Sequence, residues 1–224
     1  HDGEVQLVGE KTGKGLIELH WGVFAGQWIQ RVTTIDRAGV RRRRVATNVL
    51  DASVYRLAHE DAIIQLAVHL GINHQLTLHP LRSLLDIALL AQQPVEWSAV
   101  VERARAWQLT TILSVVLDLL VEIFGVATLP PGVVATAAAM RRSVGRRAMT
   151  SRWSSLDVVL QQQQISASRG RFLYLLSMID SPINTLYLLW RALWPEQEWL
   201  AVRYGQADHA VRLQHIKSVL QGTL

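Results

Sequence analysis

Cysteine is absent from the 224 residues of the chain. This absence excludes disulfide bonds and thiolate metal sites, and it leads us to expect a reducing compartment, the cytoplasm. The sequence also lacks an uncharged apolar run long enough to cross a bilayer. Its most apolar stretch, residues 112–127, contains Asp118 and Glu122. We therefore expect an amphipathic or core helix there, and no membrane partner.

Acidic residues are outnumbered by basic ones, which gives a formal net charge of +5 within a composition that is 50% apolar and typical of a globular protein. Arginines 41–44 form one continuous basic run, and Arg141, Arg142, Arg146 and Arg147 form a second group at helical spacing. Such clusters suit a polyanionic partner if the charge is concentrated in one place. The alternative is two solvated faces, because neither group is interleaved with aromatic residues that stack on bases.

An acid stands between aliphatic residues in the stretch 16–21, LIELHW. Side chains alternate along a strand, so Glu18 and His20 share one face while Ile17 and Leu19 share the other. A buried carboxylate needs a metal, a cation or a hydrogen-bond donor, which makes Glu18 a functional candidate. An edge strand with its polar face in water explains the same pattern. The segment 4–21 is predicted to form a hairpin.

The segment between this hairpin and residue 58 gives mixed signals. We predict a short helix near residues 27–32, a basic strand near 40–47 and a further strand near 54–57. In the basic strand Arg42 and Arg44 would face one side and Arg41 and Arg43 the other. At most one of these pairs can line a single site.

Beyond residue 58 the apolar period is helical to the end, so we predict an α+β chain with a short antiparallel β region at 1–58 and a helical domain at 59–224. The predicted helices are His59–Ile72, Pro80–Gln92, Trp97–Trp107, Thr110–Gly125, Gly132–Met149, Trp153–Ser166, Arg169–Ile179, Ile183–Trp194, Pro195–Arg203 and Ala207–Leu220.

Two polar residues in consecutive predicted helices have apolar neighbours. His69 lies near Leu66 and Leu70, and Asp86 lies between Leu85 and Ile87. Each would lower the cost of burying the other. We therefore expect His69 and Asp86 to form a structural pair.

Several short motifs recur in one order along the chain. They are LIELHW at 16–21, HEDAIIQLAVH at 59–69, LRSLLDIALL at 81–90, Trp97 with VERA at 101–104, LWP at 193–195, and WL and RYG at 199–205. Together they resemble the uncharacterised bacterial nucleotidyltransferase family of the polymerase-beta-type superfamily. The resemblance implies a Mg²⁺-dependent transfer of a nucleoside monophosphate from a nucleoside triphosphate to an acceptor that the sequence does not identify.

The resemblance also assigns roles within that chemistry. Glu18 matches the third metal-binding acid of the superfamily, with His20 beside it in the catalytic site, and Arg42 or Arg44 is expected to contact the triphosphate or the acceptor. The Gly-Ser turn and the Asp-x-Asp pair that supply the other carboxylates do not occur in these 224 residues. We therefore expect a carboxy-terminal portion of a longer protein, carrying a remnant of the catalytic sheet and inactive by itself. The alternative is a helical binding or scaffold module for a protein or nucleic-acid partner.

Overall fold

Two separate antiparallel hairpins form the β part of the protein. The computed structural model describes residues 4–8, 16–20, 27–77, 80–140, 142–154 and 168–221. Strands β1 (Glu4–Val8) and β2 (Leu16–His20) pair with Glu18 opposite Gln6, which confirms the predicted first hairpin. Strands β3 (Val45–Val49) and β4 (Ala52–Arg56) form the second hairpin.

The second hairpin turns through Leu50 and Asp51, which both have positive φ angles of 46° and 62°. Two such residues in a two-residue loop match the twist of antiparallel strands, although Gly or Asn usually supplies them. The turn lacks that sequence signature. Without that signature the sequence predicts the last strand only from residue 54, whereas β4 begins at Ala52.

Two short helices lie between the hairpins, α1 (Gln27–Gln30) and α2 (Arg37–Arg42). The first matches the predicted helix, but the second overturns half of the predicted basic strand. The Asp36 carboxylate accepts a hydrogen bond from the Gly39 amide at 2.7 Å and so caps α2. Arg42 is therefore the last residue of a helix, and Arg44 lies just before β3. The two arginines do not share one face of a strand, as the sequence had predicted.

The rest of the described chain is helical, as predicted, and makes the protein an α+β chain. The helices are α3 (His59–Val68), a π-helix (His69–Asn73), α4 (Pro80–Ala91), α5 (Trp97–Ala106), α6 (Thr110–Phe124), α7 (Pro131–Ala139), α8 (Val144–Ser154), α9 (Ser168–Met178), α10 (Pro182–Leu193), α11 (Gln197–Tyr204) and α12 (His209–Gln221).

Two helix predictions need comment. The single helix predicted over 132–149 is wrong, because α7 ends at Ala139 and α8 begins at Val144. The helix predicted over 153–166 falls almost entirely outside the described residues. The Ser143 hydroxyl accepts a hydrogen bond from the Arg146 amide at 3.3 Å, so it marks a new helix start inside the stretch that looked continuous.

Helix α6 is the centre of the core. Nine of its fifteen residues are buried, and α3, α4, α5, α7 and α8 all contact it. The Asp180 carboxylate, from the segment between α9 and α10, accepts hydrogen bonds from the amides of Thr110 and Thr111 at 2.7 Å each. The negative charge of this carboxylate also interacts favourably with the positive, amino-terminal end of the α6 dipole. In the part of the chain that the structure describes, no helix combines the length and apolar character needed to span a membrane.

The segment before residue 58 is joined to the helices. Ile29 and Val32 are buried in the same core as α3 and α6. The Asn184 side chain donates to the Val32 carbonyl at 3.2 Å, which adds a polar contact from α10. The division into domains at residue 58 stays a prediction, but residues 29 and 32 pack with the helical side of that boundary.

Candidate functional site

The strand β2 carries the candidate acid Glu18 at its middle position. In the register of the hairpin, Glu18 is paired with Gln6 and His20 with Glu4, while Ile17 and Leu19 are paired with Leu7 and Val5. The side chains of Val5 and Leu7 are exposed. Glu4, opposite His20, is a second acidic position of the hairpin that the sequence analysis did not assign.

A magnesium site is not complete within the described chain. No group of three or more His, Asp or Glu residues is arranged there to hold a metal ion. A two-metal site for nucleotidyl transfer needs several carboxylates, and the sequence contains no Asp-x-Asp pair. The residues in hand therefore do not fit the ion by themselves, and Glu18 as a metal ligand remains a proposal.

A buried carboxylate that the sequence reading missed lies at the start of α3. Asp61 is 2% exposed and accepts hydrogen bonds from Arg43 Nε at 3.0 Å, Arg43 Nη2 at 3.1 Å and Arg103 Nη1 at 3.0 Å. The two guanidinium groups come from the end of α2 and from α5. Two arginines on one carboxylate offset its burial cost. Asp61 therefore fixes the basic segment to the helical core.

The neighbouring acid, Glu60, is held by backbone and by the same arginine. Its Oε1 accepts a hydrogen bond from the Glu96 amide at 3.1 Å, and its Oε2 lies 3.6 Å from Arg103 Nη1. Burial alone would raise the pKa of Glu60, but the amides of Glu96 and Glu60 and the charge of Arg103 outweigh burial and lower that pKa. Glu60 is therefore a charged structural group that links α3 to the start of α5.

A cleft of about 570 Å³ opens beside α3. Its apolar wall is formed by Leu57, Ala62, Leu66 and Leu90. Its polar groups are Arg56, His59, Gln65 and Gln93. This volume is typical of small-molecule sites. The cleft lies where β4, the beginning of α3 and the end of α4 meet.

The two arginines expected to bind substrate have different surroundings. Arg42 Nη2 lies 3.6 Å from the Asp36 carboxylate, and the side chain is mostly exposed. The Arg44 guanidinium lies over the Tyr55 ring, 4.0 Å from its centroid. Arg44 is exposed and has no carboxylate partner among the described residues. Of this pair, only Arg44 remains uncompensated by an acid.

The expected pair of His69 and Asp86 is not brought together. Asp86 is exposed on α4, so the expectation that it is buried is wrong. His69 Nε2 instead lies 2.8 Å from His74 Nε2, and His69 Nδ1 lies 3.2 Å from the Asn73 amide nitrogen. Asn73 can only donate through that nitrogen, so Nδ1 accepts and Nε2 donates to His74. His69 is therefore engaged within the π-helix and the turn that follows.

Two members of the second basic group, Arg142 and Arg146, do not lie on a solvated face, and Arg141 lies outside the described residues. Arg142 donates to the Asp118 carboxylate at 2.6 Å, and its side chain is almost fully buried. Arg146 donates to the carbonyl of Asp180 at 2.9 Å. Arg147 is exposed. These contacts join α8 to α6 and to the segment that follows α9. The Arg142 and Arg146 guanidinium groups are therefore already bound within the protein and are less available to a polyanion.

The strand with Glu18, the Asp61 cluster and the cleft all precede the end of α6, and the comparison with known families covers the same part of the chain. A family model described as uncharacterised nucleotidyltransferase matches residues 4–125. The chain belongs to this nucleotidyltransferase family. Comparisons with curated proteins and with solved structures give no match.

Proposed function

We propose that the chain is part of a cytoplasmic enzyme that transfers a nucleoside monophosphate from a nucleoside triphosphate to an acceptor. The single observation that supports this is the family match, which runs from the hairpin with Glu18 to the end of α6. The reaction joins an acceptor oxygen or nitrogen to the α-phosphorus, breaks the bond to the β-phosphate oxygen, and releases pyrophosphate. The acceptor proton leaves to a base.

Glu18 is the residue that we assign to the centre of this chemistry. We propose that it binds Mg²⁺ or acts as the general base that accepts the acceptor proton, with His20 on the same face of β2. One carboxylate cannot hold the divalent ions that such a reaction requires. We therefore propose that the Asp-x-Asp pair is supplied by residues outside these 224.

Arg44 is our proposed contact for the triphosphate. It is exposed, has no acid beside it in the described chain, and is held over the Tyr55 ring. A guanidinium in this state can form paired hydrogen bonds with phosphate oxygens. Arg42, which was the alternative, has the Asp36 carboxylate 3.6 Å away and would bring less net attraction.

The test compares two proteins in one assay. One is the 224-residue chain, and the other is the same chain extended upstream in its gene until an Asp-x-Asp pair is included. Labelled nucleotide transfer and pyrophosphate release are measured with each triphosphate in Mg²⁺. We expect activity in the extended protein only. Absence of an upstream Asp-x-Asp pair, or absence of transfer by the extended protein with all four triphosphates and its own cell extract as acceptor source, would remove the proposal.

A second candidate is a helical binding module, and one observation favours it. Helix α10 exposes large apolar side chains, including Trp190 and Ile183. Such surfaces mark interaction sites in folded proteins. An extended protein that self-associates through α10 but transfers no nucleotide would support this reading over the enzymatic one.

A further inference from the structure

The cleft beside α3 combines an apolar wall with one cation. Leu57, Ala62, Leu66 and Leu90 supply the wall, and none of the described residues that line the cleft carries a carboxylate. Arg56 donates only to the Leu57 carbonyl, at 3.3 Å, and it forms no ion pair in the described chain. Nearby Arg43 and Arg103 differ, because Arg43 pairs with Asp61 and Arg103 pairs with both Asp61 and Glu60. The cleft therefore has a positive charge that nothing in the described chain offsets.

The histidine of the cleft adds a second polar group with a defined orientation. His59 Nδ1 lies 3.0 Å from the Pro94 carbonyl, which can only accept, so Nδ1 carries the proton. In the neutral ring Nε2 is then an acceptor. The amides of Gln65 and Gln93 provide both donors and acceptors. The cleft can thus recognise polar substituents on a ligand whose body is apolar.

We propose that this cleft binds a small molecule with a planar apolar body and one anionic group, with the anion on Arg56. The apolar wall provides the burial, and the uncompensated guanidinium selects negative charge. Binding itself needs neither nucleotide nor metal, so it can be tested separately.

The test uses 2-naphthoate and its neutral analogue 2-naphthamide as probes, with calorimetry or ligand-observed NMR on the folded chain. We expect 2-naphthoate to bind at least about tenfold more tightly than 2-naphthamide, because a charge-assisted bond has this strength. Arg56→Gln should remove the difference. Arg82→Gln is the matched control, since Arg82 is an exposed arginine of α4 that does not line the cleft.

A second variant tests the apolar wall. Ala62→Phe should fill the cleft and weaken both probes, with circular dichroism confirming the fold. The proposal is wrong if the two probes bind equally, if neither binds at millimolar concentration, or if Arg82→Gln lowers naphthoate affinity as much as Arg56→Gln. None of these results depends on transferase activity, so they leave the proposed function untouched.

An independent observation concerns α10, which is apolar on both sides. Its inner side packs through the buried Leu188. Its outer side exposes five large apolar residues, with fractional exposures of 77% for Ile183, 66% for Leu186, 38% for Tyr187, 57% for Trp190 and 41% for Trp194. We call these five residues the outer stripe. At 100° per residue the four that lie within α10 fall within an arc of about 100°, and Trp194 directly follows the last residue of the helix.

The outer stripe itself contains no Asp, Glu, Lys, Arg or His. The rings of Trp190 and Trp194 stack with centroids 5.9 Å apart, and the Arg212 guanidinium lies 4.5 Å from the centroid of the Trp194 ring. Exposed apolar patches of this kind mark interfaces. The outer stripe therefore needs a partner.

The spacing of the outer stripe suits a second copy of the chain. Residues 183, 187, 190 and 194 follow one another at intervals of four, three and four, which read the same in both directions. Two copies of α10 packed antiparallel would place Ile183 against Trp194 of the partner subunit, and Tyr187 against Trp190 of the partner subunit. Each contact joins a larger to a smaller side chain. The outer stripe itself brings no charged side chain to the twofold axis.

We propose that the chain forms a reversible antiparallel dimer through the outer stripe. The stripe exposes on the order of 500 Å² per copy, judged from the size of such side chains. A standard interface takes about 800 Å² from each partner. The dimer should therefore be weak, and its population should rise with protein concentration.

Sedimentation velocity across a concentration series tests the dimer. We expect Trp190→Glu to be monomeric at concentrations where the parent is dimeric. Val202→Glu is the matched control, because Val202 is 90% exposed on α11 outside the outer stripe and should leave the dimer intact. A parent that stays monomeric throughout, or equal effects of the two substitutions, would overturn the proposal.

The absence of cysteine allows the orientation to be tested as well. A mixture of Ile183→Cys and Trp194→Cys proteins should give a crosslinked heterodimer under oxidation. Each protein alone should crosslink much less, because the antiparallel arrangement separates like positions. Crosslinking of Ile183→Cys with itself at the same rate would contradict the antiparallel arrangement.

Discussion

Asp61 and Asp86 show at the scale of single residues how similar sequence surroundings lead to opposite environments. Both acids are followed by aliphatic residues in a helix, yet Asp61 is buried between two arginines and Asp86 is exposed. The difference arises because α4 has apolar residues on two faces: Leu84 and Ile87 are buried, while Leu85 and Leu89 are exposed. Local apolarity alone cannot reveal which of those faces meets the core.

Asp61→Ala is expected to lower the free energy of unfolding by about 2–4 kcal/mol, since it leaves the partly buried Arg43 without its anion and Arg103 with Glu60 alone. Asp86→Ala is the matched control and should change it by less than about 0.5 kcal/mol. Urea denaturation of both variants checks this. Equal losses would show that Asp61 contributes no more than an exposed acid.

Glu60 gives an expectation for pH dependence. Its pKa is lower in the folded protein than its ordinary value, so its contribution to stability is present above that ordinary value and is lost as the pH falls through the folded pKa. Glu60→Gln should therefore be less stable than the parent near pH 7, and the two stability curves should converge as the pH falls through the folded pKa of Glu60. Urea titrations at several pH values between 7 and 3 measure the gap. A gap that widens toward acid would contradict this sign.

The π-helix packs so closely against α6 that one of its residues has no room for a side chain. A Cβ added to Gly71 would lie 1.9 Å from Ile112 Cδ1 and 2.6 Å from its Cγ1, inside the core next to α6. Gly71→Ala should therefore destabilise the protein by about 1–3 kcal/mol. Gly145→Ala is the control, because nothing lies within 4 Å of the added Cβ in α8, and it should be neutral or stabilising by up to about 1 kcal/mol.

Thermal and urea unfolding of the two glycine variants measure the difference. Combining Gly71→Ala with Ile112→Val should cost less than the sum of the single changes, because the second change removes Cδ1. Full additivity would show that the cost of Gly71→Ala does not come from contact with Ile112.

Element types were predictable where the pattern was long and local. The ends of α4, α5 and α6 lie within one residue of the predicted helices at each end. Helix α2 was not predictable from the arginine run, since four consecutive arginines suit a solvated strand as well as a helix. The deciding signal was Asp36, three residues before Gly39, which caps the helix. Capping residues are thus the better guide in short polar segments.

At the scale of the whole molecule, the contacts that join distant segments were beyond prediction from the sequence. Asp180 caps α6 from 70 residues away, and Arg31 donates to the Glu196 carboxylate from 165 residues away. No local pattern marks either pair. The candidate site was predictable in part: the hairpin pairing of β2 followed from alternation, whereas the Asp61 cluster and the cleft depend on the packing of α3 against other elements.

The central claim is that Glu18 serves nucleotidyl transfer, and Glu18→Gln in the upstream-extended protein tests it most directly. The substitution keeps the shape of the side chain and removes its charge. Labelled nucleotide transfer is measured beside the unfolding temperature, with Gln6→Glu as a control that alters the facing register position without removing the acid. We expect Glu18→Gln to lose at least about 100-fold in rate while unfolding at the parent's temperature. Transfer by Glu18→Gln at the parent's rate would contradict the assignment.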